Sequence, residues 1–330
     1  MVENWLTGRR QRTVLNGETS EWGEVGSGVP QGSVLGPLAF VIFINDIDVF
    51  IILLITIMNK FADDTKLGNV IRDQSDVINL QKCLDDLVEW AEVWGMKFNV
   101  DKCKVMHVGR NNPRAQYTMN NIPLTTTEAE RDIGVKVQAS LRPSKQCTEA
   151  SNRANAVLGQ LSRSFHYRDR RTFVKLYVQY VRPHLEFAAP AWSPWTQGDR
   201  EMIEKVQRRA IRMVSGLRSS TYEDRLKELG LLSLEDRRVQ LDLTQTFKII
   251  HGYDNVKYQT WFELVGANPG RLTRGTSDPI NIVRKNPRNE IRRNFFSNRV
   301  IDRWNALPSD LKNSCSVASF KKKLGDLLLQ

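Results

Sequence analysis

Phe61-Ala62-Asp63-Asp64-Thr65-Lys66-Leu67-Gly68 sets two adjacent carboxylates between two apolar runs, and the reading of this stretch decides the fold. Upstream, Phe50 to Met58 is rich in Ile and reads as a buried strand. Downstream, a second strand-like run continues through Val70. Two strands joined by Ala62-Asp63-Asp64-Thr65 form a hairpin with the acids at its tip. Adjacent carboxylates repel unless cations neutralise them, and Mg²⁺ takes a few carboxylates together with substrate phosphates. Such a tip suits metal-assisted phosphoryl transfer. Taken alone, the pair reads as plain turn chemistry, since Asp is common in turns.

The context upstream adds to it. Gly28-Val29-Pro30-Gln31-Gly32-Ser33-Val34-Leu35-Gly36-Pro37 is a Gly-rich loop whose glycines let backbone approach a ligand. Gln31 offers an amide that both donates and accepts. A short apolar helix, Leu38 to Asp46, follows, and helix N-termini favour phosphate. The plain alternative is an ordinary Gly-Pro loop. Arg12 to Trp22 reads as strand and turn, with Asn16-Gly17 as the turn signal.

Downstream, Asp76 to Trp94 is an amphipathic helix, with Leu80, Leu84, Leu87, Val88 and Ala91 at three- and four-residue steps and Asp76 at its start. Lys104 to Val108 and Ile133 to Val137 read as short strands. Strands and helices interleave to about residue 139, an α+β pattern. After Pro143, helical periodicity takes over in Ala150–Ser164, Arg170–Val181, Arg200–Val214 and Leu234–Ile250. Beyond His251 the chain reads as irregular, either nucleic-acid-binding or a solvated tail, with a final helix at Val317–Leu329. This gives three regions: 1–139, 140–250 and a basic, partly irregular 251–330.

The 330 residues carry 48 Lys and Arg against 37 Asp and Glu, a net +11. That balance makes a polyanion the first partner to consider. Arg142 to Arg182 holds nine basic and two acidic residues, and Arg284 to Arg303 seven and two. Cys83, Cys103, Cys147 and Cys315 form no CxxC pair, which suits a reducing compartment and argues against a disulfide framework. Cys103 and His107 are spaced like half a zinc site, with no second pair at a finger-like spacing. The apolar stretch from Pro37 to Met58 is broken by Asn45, Asp46 and Asp48, so it reads as two buried elements and not as a membrane span. The N-terminus lacks the apolar run of a signal peptide. Trp192 and Trp195 read as packing residues.

GVPQGSVLGP (28–37), INDID (44–48), FADDTKLG (61–68), WAEVWGMKFNVDKCKVMHVGR (90–110) and ERDIGV (130–135), in this order, resemble the palm of LINE-type (non-LTR) reverse transcriptases. LYVQYVRPHLEFAAPAW (176–192) and VQRRAIRMVSG (206–216) continue the resemblance to about residue 250. It implies a partial reverse-transcriptase palm, an antiparallel sheet with helices, followed by a mainly helical, thumb-like region that tracks a duplex backbone. It implies RNA-directed DNA polymerase activity on an RNA template, a DNA primer and dNTPs, with Mg²⁺, or Mn²⁺ in its place. Asp63 and Asp64 match the metal-binding aspartates, and Phe61 would lie near the primer terminus beside Ala62. Pro30, Gln31 and Gly32 match the loop that shapes the nucleotide and template pocket. Lys102 falls where the family places a lysine near the departing pyrophosphate, and Ile133 to Val135 match the primer-grip strand.

The resemblance also implies an earlier aspartate motif ahead of the segment Trp5-Leu6-Thr7-Gly8-Arg9-Arg10-Gln11, and Met1 stands four residues before Trp5. The expectation is therefore an N-terminally truncated core without fingers or endonuclease and with little polymerase activity, since removing one ligand of a coupled site costs more than its share. Asp46 and Asp48 read as a helix end and not as substitutes. The alternative reading is a catalytically dead remnant that still grips nucleic acid. A group II intron maturase is a third, which the wording of residues 90–110 and 206–216 disfavours. Localisation follows the resemblance, nuclear, with no nuclear signal readable.

Overall fold

The computed structural model describes residues 2–48, 57–267 and 278–329. Its contacts divide the chain into two compact units, 1–127 and 128–330.

The first unit is organised on the helix Gln74–Val93. Its cap is Asp73, whose carboxylate accepts from the Ser75 and Asp76 amides at 2.9 and 3.1 Å. Asp76, the residue expected to start the helix, instead accepts from the Arg72 amide at 2.8 Å. The buried face, Val77, Cys83, Leu87, Trp90 and Ala91, packs with Ile44, Ile47, Tyr117, Met119 and Leu124. Phe43 meets the Trp90 and Trp94 rings edge-on, with centroids 6.3 and 5.5 Å away. Such pairs add to the burial of their area.

The apolar helix runs Leu35–Phe43, followed by a tight 3-10 turn at Asn45–Asp48. It is not the buried element expected. Phe40, Phe43, Ile44 and Ile47 turn into the core, whereas Leu38 and Ile42 are 57% and 67% exposed. The core, built around one face of Gln74–Val93, covers a single side of this helix. The strand expected from Phe50 is described only from Ile57. It pairs antiparallel as Ile57–Phe61 with Asp64–Gly68, and residues 50–56 lie outside the described part. The expected strand at Lys104 is two residues long, Lys104–Val105, and pairs in parallel with Thr125–Thr126. No described helix is long and apolar enough to cross a membrane.

The second unit opens with the strands Ala129–Asp132 and Val135–Gln138. Ile133 and Gly134 between them both have positive φ, +44° and +81°. Ile133–Val135, expected as strand, is thus a hairpin turn and its exit. The turn's twist requires φ above zero at both central residues, which overrides the β propensity of Ile. At Gly134 a Cβ would also sit 3.0 Å from the Phe187 ring, so both backbone and space favour glycine there.

Helices Ser144–Ser164 and Gln197–Ile211 enclose a core of Ala150, Ala154, Leu158, Phe173, Tyr177 and Ile203. The expected helix Arg170–Val181 is Arg170–Leu176, a widened π turn at Tyr177–Val181, and then Arg182–Glu186. Pro183 has no N–H to give, and the widened turn lets the chain pass it. Helix Leu234–Ile250 lies where its periodicity puts it. Ser233 caps it, accepting from the Asp236 amide at 3.0 Å. Its second half carries a further core with Phe262, Phe296, Trp304, Phe320 and Leu324. The described part of the C-terminal region is therefore packed structure and not an irregular tail. Its helices before Val317–Leu328 are four or five residues long, too short to show a helical period.

Candidate active site

The hairpin carrying the two acids is anchored by one face. Met58 and Leu67 pack into the first unit's core. The Lys60 ammonium donates to the Asn45 carbonyl at 2.9 Å, tying the hairpin to the turn after Leu35–Phe43. The period of two then sends Ile57, Asn59, Phe61, Asp64 and Lys66 to the other face. There Phe61 is 62% exposed and Asp64 is exposed beside it. Phe61 and Asp64 are the last paired residues, so the turn is only Ala62-Asp63, with Ala62 at φ +52°. Among the described residues neither carboxylate forms an ion pair or hydrogen bond, and both residues are exposed.

The Gly-rich loop is held from two directions. The Arg9 guanidinium donates to the Gly28 and Ser27 carbonyls at 2.7 and 3.2 Å and, through Nε, to the Leu6 carbonyl at 2.8 Å. Ser33 Oγ donates to the Pro30 carbonyl at 2.7 Å and accepts from the Gly36 amide at 3.0 Å. Gly36 is buried, and a Cβ there would stand 2.8 Å from Ser33 Oγ and 3.1 Å from the Pro30 carbonyl. The helix therefore starts inside the loop, at Leu35. Pro30 is half-buried, while Gln31 and Gly32 are exposed on a backbone turned by Gly28 and Gly32 at φ +74° and +77°. Arg9 and Ser33 are additions to the residues singled out in the sequence. Ser33, three positions before Gly36, is a capping signal readable in principle.

Lys102 ends the turn Val100–Lys102 and is exposed. No hydrogen bond or ion pair among the described residues joins it to Asp63 or Asp64. Asp46 is engaged, accepting from the Trp90 indole at 3.2 Å. Among the described residues no three His, Cys, Asp or Glu side chains gather as a metal site. Two adjacent, unpaired carboxylates nonetheless fit a hard cation that fills its remaining positions with water and substrate phosphate.

Charge is divided sharply between the two units. Residues 1–127 hold 12 Lys and Arg against 15 Asp and Glu, net −3; residues 128–330 hold 36 against 22, net +14. In the helical unit Arg163, Arg171 and Lys175 are exposed, as is Tyr167 at 79%. Trp192, by contrast, is buried and donates to the Phe187 carbonyl at 2.7 Å. Exposed aromatics of this unit instead include Tyr167, Tyr180 and Phe187, which residue type and periodicity did not mark.

Residues 1–156 match the family model described as reverse transcriptase (RNA-dependent DNA polymerase). The chain is 23% identical over 308 residues to the RNA-directed DNA polymerase from mobile element jockey of Drosophila melanogaster, covering 89% of this chain and 31% of that protein. It is 24% identical over 239 residues to the probable RNA-directed DNA polymerase from transposon X-element of Drosophila melanogaster, covering 69% and 26%. It is 25% identical over 229 residues to the jockey polymerase of Drosophila funebris, covering 66% and 25%. The chain thus spans less than a third of the length of these relatives. No solved structure matches it.

Proposed function

We propose that this chain, whose homologues are LINE-type RNA-directed DNA polymerases, carries the metal-binding hairpin and nucleic-acid grip of such an enzyme, acting on an RNA template, a DNA primer and dNTPs. The single observation that carries this reading is the hairpin tip: two neighbouring carboxylates, unpaired and exposed, on a hairpin anchored through its opposite face. Reverse transcriptases use divalent metals; Mg²⁺, or Mn²⁺ in its place, when bound would neutralise charge and activate the primer hydroxyl. The residues themselves act by position. Asp63 and Asp64 hold the cation, and Phe61, on the same face as Asp64, packs near the primer terminus beside Ala62. Pro30, Gln31 and Gly32, steadied by Arg9 and Ser33, shape the side where the incoming nucleotide and template base lie. Lys102 supplies a proton toward the departing pyrophosphate. The +14 helical unit neutralises duplex phosphates and so gives salt-dependent affinity.

Two carboxylates are fewer than a two-metal centre uses, and on this reading the 330 residues alone bind a primer–template without extending it. The test is primer extension on an RNA template with Mg²⁺, beside Asp63→Ala/Asp64→Ala. Salt-sensitive binding without extension is expected. Extension abolished in the variant would show that another group completes the centre. Absence of primer–template binding would remove the proposal. The second reading, a grip on nucleic acid with no catalytic part, is favoured by the charge division alone.

A further inference from the structure

The helical unit contains a cavity of about 120 Å³ lined by Arg200, Glu235, Arg238, Asp242, Arg299 and Arg303. That is room for about four waters at the liquid's share of volume. Helix Leu234–Ile250 presents Glu235, Arg238 and Asp242 at three- and four-residue steps on one face. Arg299 and Arg303, four apart, reach the same cavity from the short helices Phe296–Arg299 and Ile301–Asn305.

The two acids of the lining are already engaged. Asp242 accepts a bidentate pair from Arg299, Nε and Nη2 at 2.8 Å each. Arg299 also donates to the Asn294 and Pro190 carbonyls at 3.0 and 2.7 Å. Glu235 accepts from Arg200 at 3.3 Å. Arg238 and Arg303 remain, and neither makes a direct ion pair among the described residues. Arg238 is 5% exposed, and its Nη1 is buried with no acceptor among the described residues. Glu204 and Glu235 attract it only from a distance. Glu204 is itself committed to the Tyr222 hydroxyl and the Leu234 amide. Buried guanidinium N–H groups in native proteins find an acceptor, because leaving one bare costs more than an ordinary hydrogen bond returns. The lining itself holds four arginines against two acids, net +2, with Glu204 a further acid that acts on Arg238.

The geometry points to an oxyanion site, in which a phosphate group accepts from Arg238 Nη1 and from Arg303 at the mouth, while Arg299 and Asp242 hold the wall. Guanidinium forks match tetrahedral oxyanions and carry their charge at any physiological pH. The phosphate is either free inorganic phosphate or a phosphodiester of a bound strand, and the site stands whether or not the hairpin catalyses anything.

The test is calorimetric titration of the whole chain with inorganic phosphate, ionic strength held constant with chloride, for the parent, Arg303→Gln and Arg238→Gln. Arg303 is exposed and makes no ion pair among the described residues, so its variant keeps the fold, as circular dichroism would verify. Phosphate binding in the parent, weakened about tenfold or more by Arg303→Gln and further by Arg238→Gln, is expected, in line with the strength of charge-assisted hydrogen bonds. Absence of phosphate binding in the parent, or binding by Arg303→Gln equal to the parent's, overturns the proposal. In a second arm a short single-stranded DNA is added. Competition with phosphate that is lost in Arg303→Gln assigns the site to a backbone phosphodiester, and binding of phosphate undisturbed by DNA assigns it to the free ion.

Discussion

Phe61 and Asp64 are paired directly across the hairpin, with only Ala62 and Asp63 between them. The apolar ring and one of the two carboxylates therefore share a face, while the other carboxylate occupies the turn. The arrangement holds a charged tip next to an exposed aromatic ring.

That turn is bought with an unfavourable backbone at Ala62, φ +52°. An L-residue in the left-handed region costs roughly 1–2 kcal/mol, and a β-branched one more. Ala62→Val is expected to lower the stability of the first unit by at least about 1 kcal/mol, whereas Ala62→Gly is expected to be near neutral, relief of strain being offset by chain entropy. Chemical denaturation of the three proteins measures this.

Asp73 gives the first unit a pH dependence. Its hydrogen bonds from the Ser75 hydroxyl and the Asp76 amide hold its carboxyl below the ordinary value of 3.8. A group lowered by folding contributes stability that is present above its unfolded value and lost as pH falls through the folded one. Thermal melts from pH 6 to pH 2 should show the parent losing stability below about pH 4 more steeply than Asp73→Asn, which keeps an uncharged cap. Parallel curves would contradict the assignment.

Ser233 caps the helix that links the two cores of the second unit. Ser233→Ala is expected to cost about 1 kcal/mol. Ser233→Thr should restore most of it, because its hydroxyl can still accept from the Asp236 amide and donate to the Asp236 carboxylate, as Ser233 does at 3.0 and 2.6 Å.

Arg299 and Asp242 form a buried pair, their side chains 16% and 7% exposed. Burial is the largest influence on the Asp242 carboxyl and raises it, with Arg299 drawing it back. Removing one partner leaves the other charge unpaired inside the protein. Arg299→Ala is expected to destabilise the second unit by about 3 kcal/mol or more, and Arg299→Lys to recover only part, since an ammonium cannot make the bidentate contact. Urea unfolding followed by tryptophan fluorescence reads both.

Much of this was legible in the residues. The hairpin declared itself because an acidic pair interrupts two strand-like runs. The helix Gln74–Val93 and the helix Leu234–Ile250 were legible because both are long enough for a 3.6-residue period to repeat. Other features depend on contacts that periodicity does not carry. The start of Leu35–Phe43 is set by Ser33 and Gly36 closing on Pro30. The turn at Ile133-Gly134 is set by twist and by Phe187, against the local preference of Ile. The core around Trp304 and Phe320 is assembled from helices of one turn. The arginines of the cavity converge from positions as distant as Arg200 and Arg303, and nothing at any one of them marks it in sequence.

The account stands most directly on the hairpin tip as a cation site beside nucleic acid. The measurement is Mn²⁺ binding followed by electron paramagnetic resonance, on the whole chain with an RNA template, a DNA primer and the next dNTP, for the parent and Asp63→Ala/Asp64→Ala. The account predicts bound Mn²⁺ in the parent complex and its loss in the variant, with the primer–template still held by both. Equal Mn²⁺ binding by the two proteins would contradict it.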